Sequence, residues 1–570
     1  MTMTTAETKT NGAGKAALEP YERVEGIHVL RISGTDYEMG FQHGKLLRDA
    51  VARGPLPYFA RYVEKLLTRG LLGDKAGPAS RVFGGALSAT VGKRIGAKFP
   101  KHAKDALDGL ADGAGMTRKA VMDAVTMPET YLWVGTWYKR LFRAPMAPRH
   151  GVPVLGCTSA VAWGDATPHG RMLHGRNFDY QGVGAWDREQ AVVFHDPNEG
   201  QPYVSVSAAG VLLGGITAMN ASGLSLVVHQ HIASTDFDLD GLPVGIVGDL
   251  VMRYAKNLDD AKRILDGHRP NGAWTYVVTS AREKRMFAYE VTAHRRAVLR
   301  PESGVFGYSN IFMDRELEKT EVNFYPSYWR NNVARWHRSN GALERGFGKL
   351  DADAIASILG DVGDGCRLTT NIAALTTVAS VVFDAERALV YVATGRPPVS
   401  NRPYLAFDLS QRRARLDLPR LLGGTRVDAR GLEAFDAYRE AYERHFNEQD
   451  LPAARHLMGR ARELAPDQSV YAFVAGLLAL EASDAASAKE AFDDALKLGH
   501  PVPQRIAGFH LWRARALDAL GRRHDALVDY REAAFAGDPN VRKAGERGLS
   551  KPWRRRAPAI EWNFGEVIAP

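Results

Sequence analysis

Apolar positions Ile27, Val29 and Ile32 follow a strand-like alternation that crosses a Gly34-Thr-Asp36 turn into helical spacing through Asp49. Residues 50–140 keep the helical spacing, as in Ala103–Leu110 (AKDALDGL). Proline and glycine then crowd Ala144–Gly156, a composition that breaks helices and predicts a loop. From Cys157 the period changes to two. Cys157–Trp163 and Arg171–Tyr180 flank a polar turn at 164–170 and predict a hairpin. Leu212–Met219 with Gly223–Ile232 predicts a second, around Asn220–Gly223. Tyr276–Ser280 with Arg285–Thr292, and Val378–Asp384 with Leu389–Ala393, predict two more. Val244–Gly267 reads as an amphipathic helix interrupted at Asn257. Antiparallel hairpins with separate helices point to an α+β layered sandwich.

After Asp428 the strand signal ends and Ala, Leu, Arg and Glu dominate. Tyr442–Pro466, Tyr471–Pro501 and Phe509–Pro539 look alike, and their closing prolines fall close to the ~34-residue period of tetratricopeptide repeats. The expectation is a TPR-like helical domain, with a plain helical bundle as the simpler alternative. Neither supplies chemistry, so the region reads as an interaction or stabilising module, with a protein partner as one use.

Composition narrows the function classes. With 570 residues, 45% hydrophobic and 24% charged, the chain is globular and long enough for several domains. Its net charge of +9 comes from 74 basic and 65 acidic residues that are interspersed, and the dense cluster Lys551–Arg556 has no recognition motif beside it. No nucleic-acid partner is expected. No uncharged stretch reaches the ~20 residues of a membrane span, and the polar first residues hold no apolar run of signal type. A soluble cytoplasmic protein without a membrane partner follows as the expectation. Cys157 and Cys366 are the two cysteines, too few for a disulfide framework. His229 and His231 alternate on a strand but lack a third ligand, so no metal is expected. Phosphate-loop, dinucleotide, zincin and serine-elbow motifs are absent from the sequence, and no cofactor is expected.

The chemistry gathers at Leu155-Gly-Cys157-Thr-Ser159. A lone cysteine is ordinarily a small buried hydrophobe. Cys157, however, stands where loop becomes strand, and Gly156 before it tolerates the strained backbone of an internal N-to-S acyl shift. With the turn at 164–170, Cys157 falls opposite residue 177, so Asn177 and Asp179 share its face. Arg176 would then point away unless a bulge or a one-residue slip intervenes. Exposed as a new N-terminus, Cys157 would carry its own base, because an α-amine has a pKa of about 7.7–8.0. Asp179 could orient that amine, Arg176 could hold a carboxylate or lower the thiol pKa, and Asn220 and Asn310 offer uncharged oxyanion donors.

Gly-Cys157-Thr-Ser, Gly175-Arg-Asn-Phe-Asp-Tyr180, Met219-Asn-x-x-Gly-Leu224 and Ser309-Asn-x-Phe312, in that order, resemble the isopenicillin-N acyltransferase-like N-terminal-nucleophile (Ntn) hydrolases. These are relatives of penicillin V acylase and choloylglycine hydrolase. Gly34–Gly44 and Leu107–Gly115 resemble the acyltransferase branch. The resemblance implies a four-layer αββα sandwich and self-cleavage between Gly156 and Cys157. It further implies attack of Cys157 on an amide or thioester carbonyl. It makes Asp179 the orienting acid, Arg176 a site residue, Asn220 and Asn310 oxyanion or positioning groups, and Ser159 a hydrogen-bond partner. Arg367 is the nearest candidate for a further family arginine.

The implied organisation is a tail over 1–24, a propeptide-derived α chain over 25–156, a catalytic β chain over 157–425, helical repeats over 426–550 and a basic tail over 551–570. The two chains would stay associated after cleavage. Hydrolysis of a linear or cyclic N-acyl amide through an S-acyl intermediate is the leading expectation. Acyl transfer to an amine, or a non-catalytic scaffold that binds a partner through its helices, are the alternatives.

Overall fold

The computed structural model describes residues 18–59, 82, 84–141, 156–231, 234–322, 326–363, 370–554 and 562. Strands β1 (Tyr21–Val24) and β2 (Ile27–Gly34) form a hairpin, so part of the expected N-terminal tail is sheet. Helix α1 (Asp36–Leu46) follows. Thr35 caps it, its side chain accepting from the Glu38 amide while Glu38 reaches back to Thr35. Helices α2 (Lys101–Ala114) and α3 (Arg118–Leu141) bear out the later part of the helical stretch expected over 50–140, of which residues 60–81 and 83 lie outside the described residues. Glycines let α1 and α2 cross backbone on backbone. A Cβ on Gly40 would lie 2.0 Å from Ala106 O, and one on Gly109 2.1 Å from Tyr37 O. That close crossing is the physical content of the two upstream glycine motifs.

The β region then unfolds in order: β3 (Gly156–Gly164), β4 (Gly170–Asp179), β5 (Gln190–Pro197), β6 (Tyr203–Ala208), β7 (Thr217–Asn220) and β8 (Leu224–Gln230). Helices α4 (Val244–Tyr254) and α5 (Leu258–Asp266) are separated where the sequence pattern breaks, and the Asn257 side chain caps α5 by accepting from Asp260 N. Strands β9 (Trp274–Ser280), β10 (Arg285–Val291), β11 (Arg296–Leu299) and β12 (Val305–Tyr308) precede α6 (Pro326–Arg345) and α7 (Ala352–Leu359). Strands β13 (Thr377–Asp384), β14 (Leu389–Ala393), β15 (Tyr404–Asp408) and β16 (Arg413–Ala414) close the region.

The strands form two sheets, ordered β1-β2-β5-β6-β7-β8-β9-β10-β11 and β12-β3-β4-β13-β14-β15-β16. Val29, Val192, Val204, Val227 and Val277 of the first face Val161, Met172, Val381 and Val390 of the second across an apolar seam. The outer face of the first sheet is covered by α1, α2, α4 and α5, through Leu30, Val193, Leu107 and Leu110 on one side and Leu226, Val251 and Leu265 on the other. Leu343 of α6 and Ile355 and Leu359 of α7 cover the second through Ala160, Leu173 and Val382. The order helix–sheet–sheet–helix is the αββα sandwich.

Several elements escaped the pattern reading. Strand β5 is buried on both faces through Ala191–Phe194 and does not alternate, whereas β6 alternates valine and serine (Val204–Ser207) although all of it is buried. The second predicted hairpin is shorter than expected: Leu212 and Leu213 lie outside the sheet, and β7 begins at Thr217.

Past Asp428 the described elements are helices: α8 (Ala429–Tyr442), α9 (Leu451–Leu464), α10 (Ser469–Glu481), α11 (Ala485–Leu498), α12 (Ile506–Ala519), α13 (Arg523–Ala534) and α14 (Pro539–Ser550). Aspartate caps recur at Asp428, Asp450, Asp484 and Asp538. The apolar faces of α8–α12 share one core with Trp562, which lies within the stretch expected as a basic tail yet is buried there, its carbonyl accepting from Tyr438 Oη at 2.9 Å. Ala526, Tyr530 and Ala544 of α13 and α14 pack with Leu511 of α12 in a second cluster. The helices meet the sandwich at more than one loop, with Arg402 pairing with Asp436 at 2.6 Å and Arg439 Nη1 donating to Pro397 O at 3.0 Å. Arg396 pairs with both Asp187 and Glu443, Arg188 with Glu443 at 3.0 Å, and Asn447 Nδ2 donates to Val183 O at 3.0 Å.

Candidate active site around Cys157

The register of β3 on β4 decides which side chains meet. The ladder shifts between Ala162 and Gly164, which places Cys157 opposite Phe178 rather than residue 177. One-residue slips exchange faces along a strand. Arg176 therefore joins Cys157, while Asn177 turns outward. Asn177 Nδ2 donates to Leu359 O at 2.9 Å, and its oxygen accepts from Ser380 Oγ at 2.6 Å, so it holds α7 against the sheet. The expectation that Asn177 and Asp179 share the face of Cys157 is corrected by this bulge: Asp179 pairs with Gly156 instead.

Arg176 is buried, with Nη2 donating to Cys157 Sγ at 3.4 Å and to Val228 O at 3.0 Å, Nη1 bonded to Thr217 Oγ1, and the guanidinium 4.3 Å above the Phe178 ring. Burial pushes the Cys157 thiol above its ordinary value, and the charges of Arg176 and Arg335 offset only part of that. The thiol is thus neutral here and needs a base.

The Cys157 amide donates to Asn310 Oδ1 at 2.6 Å, while Asn310 Nδ2 donates to Gln230 O at 2.7 Å. Asn310 thus uses one of its two N–H donors on Gln230 O, and its oxygen holds the nitrogen of Cys157. Asp179 pairs across the ladder with Gly156 and accepts from Thr377 Oγ1 at 2.6 Å. Burial raises its carboxyl, and the Arg335 charge opposes the shift. A Cβ on Gly156 would stand 3.1 Å from Arg335 Nη2 and 3.2 Å from Asp179 Oδ2. Gly156 is outside the positive-φ set, so close approach, rather than the strain inferred from sequence, is what glycine provides there.

Two expected residues lie elsewhere in function or place. Ser159 shares the Cys157 face, but its hydroxyl bonds His229 Nε2 at 2.8 Å. Asn220 sits at the far turn of β7–β8, where Nδ2 donates to Met252 O at 3.1 Å and Ala255 O at 3.0 Å and Oδ1 accepts from Leu224 N at 3.0 Å. It secures the end of α4, and its oxyanion role is not supported by this placement. His231 bonds Thr275 and Glu321 and stacks on Phe312, and no metal-holding cluster occurs among the described residues. Arg367 and Cys366 lie outside the described residues.

Sequence reasoning missed Arg335 and Gln230. Arg335, 1% exposed on α6, donates to Cys157 O at 2.6 Å, Thr158 Oγ1 at 3.0 Å, Asn310 Oδ1 at 3.1 Å, Asn332 Oδ1 at 2.5 Å and Asn331 Oδ1 at 2.9 Å. Its signal was Asn331-Asn-x-x-Arg335, amides and a cation one helical turn apart on a buried face. That is legible only once α6 and its face are known. Gln230 follows His229 on β8, and both atoms of its buried side-chain amide are unpartnered. It lines an apolar cavity of about 140 Å³ with Cys157, Phe59, Tyr180, Trp186 and Trp274. Phe59, Leu107 and Glu129, all N-terminal to Gly156, form one wall.

Residues 166–398 match the family described as acyl-coenzyme A:6-aminopenicillanic acid acyl-transferase. The matched segment, less than half of the chain, is similar to that family. The match begins after Cys157, so the nucleophile assignment rests on the geometry above. An uncharacterized protein of Archaeoglobus fulgidus is 27% identical over 291 residues, which are 48% of this chain and 45% of that protein. The chain thus spans less than half the length of that curated relative. Among solved structures, a mutant of the conjugated bile acid hydrolase of Clostridium perfringens is 13% identical, covering 45% of this chain and 93% of that one at a TM-score of 0.31. The Caenorhabditis elegans ortholog of N-acylethanolamine-hydrolyzing acid amidase is 17% identical, with coverages of 40% and 93% and a TM-score of 0.30. At such scores neither likeness carries argument. No helix among the described residues is long and apolar enough to cross a membrane.

Proposed function

We propose that the chain is an Ntn cysteine amidohydrolase that cleaves itself between Gly156 and Cys157 and then hydrolyses an N-acyl amide with an apolar acyl group. The observation that carries this reading is the placement of Cys157. Its sulfur is 3.4 Å from Arg176 Nη2, its nitrogen is 2.6 Å from Asn310 Oδ1, and the residue lines the apolar cavity.

In self-cleavage, Sγ attacks the Gly156 carbonyl, the C–N bond breaks, and the Cys157 nitrogen takes up a proton as the new amine. Water then hydrolyses the thioester, leaving a Gly156 carboxylate. In turnover the free amine accepts the thiol proton and later donates it to the leaving amine of the substrate. Asn310 Oδ1 holds the amine and Asp179 favours its charged form. Arg176 stabilises the thiolate electrostatically. The Gln230 amide, unpartnered and lining the same cavity, supplies the oxyanion donor. Water completes hydrolysis of the S-acyl enzyme. An amine acceptor in its place would give acyl transfer, a second reading favoured by the description of the matching family. The chains made by cleavage would remain together, since both line the cavity.

Mass spectrometry of the purified protein tests this. A fragment ending at Gly156 and a partner beginning at Cys157 are expected, with Cys157→Ala staying whole and Cys366→Ala cleaving normally. Removal of a nucleophile from a catalytic unit costs on the order of 10⁴–10⁶-fold in turnover. An intact wild-type chain after long incubation would refute self-activation.

A further inference from the structure

The cavity beside Cys157 is apolar except at a few positions, and those positions do not suit a plain hydrocarbon. Glu129 lines it from α3 at 2% exposure. Its carboxyl accepts from its own amide and from the amide of Val244, at the start of α4. Pro243 offers that helix end no side-chain cap, so one task of Glu129 is to satisfy the Val244 N–H. An uncharged glutamine would do the same without the cost of a buried carboxyl. Burial raises Glu129 to about 8, so at neutral pH it keeps a proton, and that O–H requires an acceptor.

The other polar groups agree. The indole N–H groups of Trp186 and Trp274 are buried and unpartnered, and both rings line the same cavity. Buried donors left without partners cost roughly 1–3 kcal/mol each in general, so their clustering around one cavity points to a ligand that satisfies them. Trp274 stands two residues before Tyr276 on the same face of β9, and Tyr276 Oη donates to Val244 O at 3.2 Å. Trp274 is also the ladder partner of Gln230, so the polar lining runs from Gln230, which serves the scissile carbonyl, through Trp274 toward the start of α4, where Glu129 is bonded.

We infer that the acyl group of the substrate carries a hydroxyl along its chain, bound between the Glu129 carboxyl and the Trp274 indole N–H. A hydroxyl accepts one hydrogen bond and donates another, so it satisfies both partners, which a methylene cannot. A protonated amine would instead force a buried ion pair with its desolvation cost. Glu129 is in this sense a specificity-determining residue contributed by the chain segment before the cleavage site. The inference rests on the amidohydrolase reading for the identity of the ligand, and binding alone can test it.

The probe is a set of N-acyl amides of one medium chain length, unsubstituted or with a hydroxyl walked along the chain. Binding is followed by tryptophan fluorescence in the Cys157→Ala protein. One hydroxyl position is expected to bind at least ~10-fold tighter than the plain chain, a gap of about 1.4 kcal/mol. Added to that background, Glu129→Leu should erase the preference and leave the plain chain bound as well or better. Glu129→Gln, which keeps a donor and an acceptor, should retain most of it, and Trp274→Phe should weaken only the favoured isomer. A plain chain that binds as tightly as every isomer overturns the inference, as does an equal loss for all ligands in Glu129→Leu. If wild type hydrolyses plain amides regardless of Glu129, this inference fails and the amidohydrolase reading stands. If Cys157→Ala discriminates but wild type turns nothing over, the reverse holds.

Discussion

Asp179 beside Cys157 and Asp484 among the C-terminal helices are both hydrogen-bonded aspartates near an arginine, yet their carboxyls shift in opposite directions. Asp179 is fully enclosed, and burial raises its carboxyl despite the Arg335 charge and the Thr377 hydroxyl. Asp484 caps α11 at a solvent-facing corner, where the Ser487 amide first and Arg455 after it hold the carboxyl below its ordinary range. The contrast extends to the regions around them. The sandwich buries Arg176, Arg335, Asp179, Gln230 and Glu129 around one reactive sulfur. The helices bury an apolar core and keep most ion pairs, such as Arg462–Asp494 and Arg460–Glu433, at the surface. Polar groups inside the first region cost stability and bring reactivity. Those outside the second add small increments of stability and no chemistry.

Removing Arg335 should break this comparison most severely. Arg335→Met would take one donor each from the Cys157 carbonyl, Thr158 Oγ1 and three asparagine oxygens. Stripping one partner from a buried charged cluster costs about 3–5 kcal/mol. Urea unfolding should register that loss, and the fragment beginning at Cys157 should fail to form. A Met variant that folds and cleaves like wild type would show that the cluster is incidental.

Glu129 gives a pH-dependent effect of somewhat smaller size. Its carboxyl is raised from 4.5 to about 8, so the folded chain holds a proton that the unfolded chain has released. Stability from this group is therefore full below the lower value and falls as pH rises toward the higher one. Glu129→Gln removes the term. The variant should be more stable than wild type by about 3 kcal/mol at pH 7, with the difference vanishing near pH 4. Parallel curves for the two proteins across that range would contradict the burial assignment.

How much of this was legible beforehand follows the same division. Cys157, its place at a loop-to-strand junction and the β3–β4 pairing could be read from Gly156, the turn at 164–170 and the alternation around it. The ladder shift near Trp163 could not, because a bulge adds one residue without changing the hydrophobic pattern, and it alone decides that Arg176 rather than Asn177 meets the sulfur. Asn220 misled because a buried turn asparagine that holds a helix end has the same local sequence as one that faces a substrate. Arg335 was hidden because its value lies in five acceptors brought from β3, from the loop after β12 and from α6 itself. The helices after Asp428 were legible as helices because their pattern is local: apolar faces and aspartate caps need no distant partner.

Within that local region the expected effects shrink. A Cβ on Gly476 of α10 would meet Phe492 Cε1 of α11 at 2.5 Å, side chain against helix in a filled core. Gly476→Ala should cost about 1–3 kcal/mol through overpacking. Hydrogen exchange should place the loosening in α10 and α11 and leave cleavage at Cys157 unchanged. Slower cleavage would mean that the helices act on the cavity through the Asp187–Arg396–Glu443 junction and the Trp186 loop.

Asp484→Ala should produce the smallest change. It deletes the cap of α11, in which Asp484 Oδ1 accepts from Ser487 N at 3.1 Å, and the pair in which Arg455 Nη2 donates to Oδ2 at 2.8 Å. Loss of an aspartate cap costs about 1 kcal/mol, and the exposed arginine adds little to it. Because the folded-state carboxyl is lowered, its contribution is present above the ordinary carboxylate range and is lost as pH falls through the lowered value. The deficit of Asp484→Ala should therefore be full at pH 7 and close in strong acid. Asp484→Asn keeps the capping oxygen and should recover most of the loss at every pH. Equal deficits for Ala and Asn at pH 7 would assign the stabilisation to charge rather than to the cap. A deficit that widened in acid would put Asp484 in the class of Asp179 and dissolve the distinction between the two regions.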